Sequence, residues 1–418
     1  MTAVDTVSNA APTSTPVKPK VRIQVLDLIR GLAILGILAV NADGFAATMS
    51  ASLKPETWPF PNEGWTAISF WIVQAFFHEK FVTIFSMLFG ISLFLVGGER
   101  TDKARGRVLW RRLAVLFCLA MLHGFGLWWG DILSLYAMTG VIMLFCRSWG
   151  PRTLMIVGVV LYLFMGLRHV DPAVLPFAAP EARAQAEAQL IPDEAANTRR
   201  REKAAAEMAT ARSSLSEAYR ANTRQYLRLL TGYPHGIAGT LGLMMIGLSL
   251  FKSGYLAGRA SLRRYGVVVA AGSVALAVIG WLAWREVIVE RPVLGAEVLD
   301  VILVPLISLA YAGALILLWR AGAGRILSPL AAAGRMAFTN YLTQSLIMTC
   351  IFYGGRGALM GQVDRPALWG IVIAIWTLQL IWSPLWLSRF EMGPFEWVWR
   401  CLTLGRRVPF VKSRAATT

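Results

Sequence analysis

LDLIRGLAILGILAVNADGFA, from Leu26 to Ala46, contains a block, Gly31 to Val40, with no polar side chain at all. A helix over all 21 residues from Leu26 to Ala46 covers the roughly 30 Å hydrocarbon core of a bilayer. No small-residue cleavage site follows it, so the expectation is an uncleaved helix rather than a signal peptide. Nine further apolar runs lie downstream, at about 66–97, 110–127, 131–146, 152–167, 236–251, 265–284, 298–319, 336–353 and 367–388. Composition agrees: of 418 residues, 56% are hydrophobic and 16% charged, against roughly 25% charged in a soluble domain. The mean hydropathy is +0.55. The fold class expected is an all-α polytopic membrane protein of about ten transmembrane helices.

The run at 66–97 is too long for one straight crossing and is interrupted by His78-Glu79-Lys80. It is expected to hold a surface or re-entrant helix, Trp65 to Phe77, followed by a crossing from Phe81 to Val96. With the N-terminus inside, the short inner segments carry 24 Lys and Arg and the short outer loops carry 5. Cytoplasmic loops concentrate these residues, so the chain is expected N-in/C-in, with both termini cytoplasmic. The formal charge of +17 therefore signals positive inner loops, and no nucleic acid partner is expected. The lipid bilayer is the expected partner, and a homo-oligomer stays open.

Expected boundaries are a disordered N-terminus at 1–22, a membrane half at 23–167, a long extracytoplasmic helical loop at 168–234, a second membrane half at 235–405 and a basic tail at 406–418. The loop is rich in Ala, Glu, Arg and Gln. Its helices would lie outside the membrane, in the place of a lid. Cys118, Cys146 and Cys350 fall in apolar runs, and with Cys401 their spacing fits no zinc pattern. They are expected to be buried thiols.

Ionisable residues inside spans are costly and mark functional candidates. Asn41 and Asp43 end the first helix on its outer side. His78 and Glu79 stand at the outer mouth of the second crossing, His123 near the outer end of the third helix and Asp131 just beyond it. His235 is expected to open the sixth helix. A carboxylate that fixes a histidine tautomer makes the imidazole a general base. His123 with Asp131, or His78 with Asp43, are the candidate pairs, each weighed against a plain interhelical hydrogen bond. For Asp131 the competing role is to cap the fourth helix. No His-x-x-x-His or Glu-x-x-His spacing occurs, so no metal is expected. At the inner side lie Asp27, Arg30, Arg111 and Arg112. They read either as positive-inside bias or as a cradle for a phosphate-bearing donor such as acyl-CoA. Asn340, Tyr341, Gln344 and Ser345 give the ninth helix a polar face, read as interhelical hydrogen bonding.

RIQVLDLIRGLAILGILAVN from Arg22, KFVTIFSMLFGISLFLVG from Lys80, RRLAVLFCLAMLHGFGLWWGDILSLYAMTG from Arg111, LGLMMIGLSLFKSGYLAG from Leu241, GRMAFTNYLTQSLI from Gly334 and FEMGPFEWVWRCLTLG from Phe390 together resemble the bacterial YeiB family, whose C-terminal half is a domain of unknown function. The N-terminal part of that family is similar to transmembrane acyltransferases that include the heparan-glucosaminide acetyltransferases. The shared signature is the LDxxRGxA start and an Asn near the outer end of the first helix, here Asn41. Those enzymes carry a His shortly after that helix; here the nearest is His78. The resemblance implies transfer of an acyl group, acetyl foremost, from cytosolic acetyl-CoA to an extracytoplasmic acceptor. A small-molecule transporter is the alternative, and a membrane scaffold a third.

Overall fold

The computed structural model describes residues 24–52, 55–168, 170–174, 178–190 and 193–412. The N-terminus expected to be disordered and the last six residues of the basic tail lie outside them. Among the described residues the chain is helical, with one isolated bridge between Phe390 and Val411 as its only β pairing.

α1 (Gln24–Ala46) is followed by a single turn, α2 (Met49–Ser52). α3 (Gly64–Ile72) runs into a π-helical turn, Val73–Phe77, and stops at the expected interruption, where Glu79 takes the left-handed φ of 62°. α4 (Lys80–Gly97) starts directly after that break. α5 (Lys103–Gly126) begins on an Asp102 side chain that accepts from the Arg105 amide. α6 (Leu133–Cys146) and α7 (Pro151–Leu167) follow, the latter with proline in its first turn, where a missing N–H costs nothing.

α8 (Pro180–Gln189) and α9 (Glu194–Ser213) occupy the long loop. α10 (Leu215–Lys252) corrects one expectation: His235 does not open a helix. The helix starts on a Ser214 cap twenty residues earlier and runs through Pro234. The Gly232-Tyr233-Pro234 sequence looks like a break, yet packed neighbours let a long helix carry an internal proline. α11 (Leu262–Val287), α12 (Ala296–Leu318), α13 (Ser328–Arg335), α14 (Ala337–Phe352), α15 (Arg365–Arg389) and α16 (Pro394–Leu404) complete the order.

Each of the ten apolar runs lies on helix. Seven stretches, those of α1, α3–α4, α5, α10, α11, α12 and α15, are long and apolar enough to cross a membrane; α6 and α7 are apolar but shorter. α1 is the axis of the bundle. Its most apolar window is 78% buried, against 28% for α11 and α15, which carry the outward apolar surface. This also corrects the cysteine expectation: Cys118 and Cys350 are exposed on outward faces, and only Cys146 is buried.

Close crossings hold the bundle in register. A Cβ on Gly334 would stand 1.8 Å from the Asp27 carbonyl oxygen, and one on Gly31 would stand 1.9 Å from that of Leu330. α1 and α13 therefore touch backbone to backbone, as small residues permit between membrane helices. α14 is capped from outside its own sequence. Glu396 of α16 accepts from the amides of Phe338 at 2.8 Å and Thr339 at 3.1 Å, and from the Thr339 hydroxyl at 2.5 Å. Burial pushes the Glu396 carboxyl up from its ordinary value, while these bonds pull it down.

Candidate functional site

The chain reverses between α5 and α6 through HGFGLWWGD, residues 123–131. Three side chains fix the turn. Trp128 stacks on Phe45 of α1 at 4.0 Å. Asn222 of α10 donates to the Gly124 carbonyl at 2.8 Å, and its own oxygen accepts from the Trp129 amide at 2.7 Å. The Tyr226 ring occupies the space a side chain on Gly124 would need, with ring carbons as near as 2.1 Å to the built Cβ.

That reversal brings His123 and Asp131 together. Nδ1 of His123 lies 3.0 Å from Asp131 Oδ1, and both residues are 2% exposed or less. The other imidazole nitrogen, Nε2, lies 2.9 Å from the Ser345 hydroxyl of α14. The second carboxylate oxygen of Asp131 accepts from the Ser134 amide at 2.9 Å and the Ser134 hydroxyl at 2.5 Å, in the first turn of α6. Asp131 thus meets the histidine with one oxygen and the first turn of α6 with the other. Tyr233 donates to the Asp131 carbonyl, and the hydroxyls of Tyr226 and Tyr233 lie 3.2 and 3.1 Å from the Ser134 oxygen.

The partners dictate the proton positions. A carboxylate accepts only, so Nδ1 carries the hydrogen and donates to Asp131. In the neutral imidazole Nε2 is then the acceptor, and the Ser345 hydroxyl lies within reach to donate to it. The same hydroxyl lies 3.3 Å from the Tyr341 carbonyl, a longer contact to a weaker base. Tyr341 packs its ring 5.0 Å from the imidazole.

Two cavities flank this cluster. One, of about 180 Å³, is lined by Arg30, Ile34, Ile37, Arg112, Ile132 and Tyr341, with Glu396 and Trp399 near its polar end. The other, of about 330 Å³, is lined by Asn41, Asp43, His78, Asp131, Ile132 and Tyr233. Ile132 borders both, and on α1 they are separated by one helical turn, from Ile37 to Val40.

The remaining predicted residues divide by cavity. Asp27 is buried and pairs with Arg30 at 2.9 Å, one turn along α1. Arg112 stacks its guanidinium 3.7 Å from the Trp399 ring. Arg111 is exposed beside Gly405, outside the first cavity. At the other end Asp43 is not paired with His78. Its carboxylate takes the Arg365 guanidinium at 3.2 Å. Arg365 lies fully buried between the rings of Trp58 and Phe70, at 4.2 and 4.0 Å. A permanent cation outcompetes an imidazole for a buried carboxylate. His78 is half-buried on the wall of the second cavity, Glu79 is exposed at the helix break, and His235 is exposed on α10. Ser345, Ser134, Asn222, Tyr226 and Tyr233 complete the cluster around His123. Of these only Ser345 carried a sequence signal, as part of the polar face of α14.

Comparison with known proteins bears on the whole length. The chain is 31% identical over 406 residues to the Uncharacterized protein YeiB of Escherichia coli (strain K12), covering 92% of this chain and 97% of that protein. The chain belongs to the YeiB family. A second member, the Uncharacterized protein YxaH of Bacillus subtilis (strain 168), is 30% identical over 407 residues, 94% of this chain and 96% of its own. The family described as Protein of unknown function (DUF418) matches residues 250–406. In this YeiB-family chain that region contains Ser345 and Arg365 but not His123, Asp131 or Asn222, so the cluster joins it to the N-terminal half. No solved structure matches the chain.

Proposed function

We propose that this YeiB-family protein is a transmembrane acyltransferase of a bacterial inner membrane. It would move an acyl group, acetyl foremost, from acyl-CoA on the Arg30–Arg112 side to a hydroxyl or amine on the Asn41–His78 side. The observation that carries the reading is the pair of cavities that back onto Ile132 with the His123–Asp131 pair beside them. Two guanidinium groups at one end suit the phosphates of a coenzyme. Polar groups at the other end suit a sugar or small polyol. Between them, an imidazole with its tautomer fixed by a carboxylate is equipped to take the acceptor's proton, a contribution of about 10²–10⁴-fold. With ten crossings and both termini in the cytoplasm, the Arg30 end would lie inside, where the coenzyme is made.

The test is transfer of labelled acetyl from acetyl-CoA to cell-envelope extract by the purified full-length protein. Arg112→Ala is expected to weaken acetyl-CoA binding at least tenfold with insertion intact; unchanged affinity would remove this end from donor binding. One observation favours a second reading. Two cavities parted by a thin plug of Ile132 and Tyr341 also suit alternating access by a transporter. Solute accumulation in proteoliposomes without any covalent product would select it.

A further inference from the structure

Resting on the transfer reading, we infer that Ser345 is a covalent acyl relay, with His123 and Asp131 as its base and orienting carboxylate. The geometry that points there is a chain of two short contacts through one imidazole: Asp131 Oδ1 to Nδ1 at 3.0 Å, and Nε2 to Ser345 Oγ at 2.9 Å. All three side chains are buried. A nucleophile within hydrogen-bond reach of a base that a third group orients is the arrangement that activates a hydroxyl. A purely structural serine in a membrane helix satisfies itself on the carbonyl four residues back. Here that contact is the longer one, at 3.3 Å, and the shorter, at 2.9 Å, runs to the imidazole Nε2.

The relay also answers a problem of placement. The donor cavity reaches Tyr341, one turn before Ser345 on the same helix, while the acceptor cavity reaches Asp131. The Tyr341 ring lies against the imidazole, and its hydroxyl contact to the Gly130 carbonyl is long, 3.4 Å. Oγ itself lines neither cavity, so the relay requires the Tyr341 ring to swing aside toward the donor side. An ester on Ser345 then parks the acyl group between the two cavities, so that donor and acceptor need never be bound together.

The steps balance. Ser345 Oγ forms a bond to the thioester carbonyl carbon as its proton passes to His123 Nε2. The carbon–sulfur bond breaks, and the departing thiolate takes the proton from Nε2, leaving coenzyme A and a serine ester. In the second half the acceptor oxygen or nitrogen bonds to the ester carbon, its proton passes to Nε2, and Oγ leaves and recovers that proton.

The experiment incubates the purified full-length protein with acetyl-labelled acetyl-CoA without acceptor, quenches in acid, and maps the label by peptide mass. The expected result is one acetyl group per chain on the peptide holding Ser345, released when envelope extract is added. The label is absent in Ser345→Ala and His123→Ala, and Ser345→Ala lowers transfer at least about a hundredfold. Ser345→Cys restores a label that neutral hydroxylamine now removes, as it does a thioester and not a serine ester; this variant controls for folding. Transfer at the wild-type rate by Ser345→Ala, or a label mapped to His123, overturns the relay and leaves acyl transfer standing. Neither label nor transfer in the wild type overturns both.

Discussion

At the scale of single residues, Asp131 is the most informative position, because its two oxygens do different work. Asp131→Asn keeps the size of the side chain but supplies one acceptor and one donor. If the amide oxygen stays on the Ser134 amide in α6, its NH₂ faces His123 Nδ1 and forces the hydrogen onto Nε2. Ser345 then has no lone pair to donate into. The expected outcome is a folded protein whose acetyl transfer falls about 10⁴-fold, the scale seen when a wrong tautomer is imposed on a comparable triad; a loss under tenfold in the radiolabel assay would show that the tautomer is immaterial. Asp43 makes a contrasting case of stability. Arg365 has two buried nitrogens, Nη1 and Nη2, with no hydrogen-bond partner among the described residues, so Asp43 and two aromatic faces are its compensation. Asp43→Ala is expected to cost about 3–5 kcal/mol, and adding Arg365→Met to recover most of it, measured by thermal melting in detergent. Equal losses in the single and double variants would mean the pair is not coupled. The sequence made His123 and Asp131 legible as a pair because only eight residues and a glycine-rich reversal separate them. Ser345 was visible only as part of a polar helix face. Its partner lies 222 residues away, and no local pattern carries a contact of that range. The Asp43–Arg365 pair was hidden for the same reason, at a separation of 322.

At the scale of elements, hydropathy made nearly all the spans legible. Burying twenty apolar residues in lipid needs no knowledge of the partner helix, so the run itself carries the information. The start of α10 was not legible. Gly232 and Pro234 carry a local breaking signal, and the packing that overrides it comes from elsewhere in the chain. Crossings were also unreadable, since a glycine in an apolar run looks the same whether it faces lipid or a backbone. The α1–α13 contact gives the sharpest test. Gly334→Leu places a branched side chain where the Asp27 carbonyl already stands. α13 must move off α1, and with it Gly334 and Arg335, which line the same cavity as Arg30. The expected result is a melting midpoint lower by several degrees and weaker acetyl-CoA binding. Gly370→Leu, at a position with open space around it, should change neither. A tolerated Gly334→Leu would show that the helices do not meet there in the working protein.

At the scale of the whole molecule, the imbalance of 24 inner against 5 outer Lys and Arg predicts that reporters fused at either terminus read cytoplasm. One inserted at Ala196 in α9 should read outside; a cytoplasmic signal at Ala196 would overturn the ten-crossing order. That order would put α9 and the first half of α10 above the membrane; Ala204, Met208, Ala211 and Ala218 share one buried cluster with Phe45, Trp128 and Tyr353. α10 then has an unusual station. Its 38 residues make a rod of about 57 Å, nearly twice the hydrocarbon thickness. Along that one rod lie the start of the extramembrane cap at Ala218, the Asn222 that pins the reversal, the Tyr226 and Tyr233 that meet Ser134, and the Gly242 that grips α7. A ligand bound at the cap and one bound beside the buried cluster would therefore touch the same helix. Any coupling between the two is reciprocal, and is expected to change the signal of a fluorophore on Arg220 when acetyl-CoA is added; an unchanged signal would show the two ends to be independent.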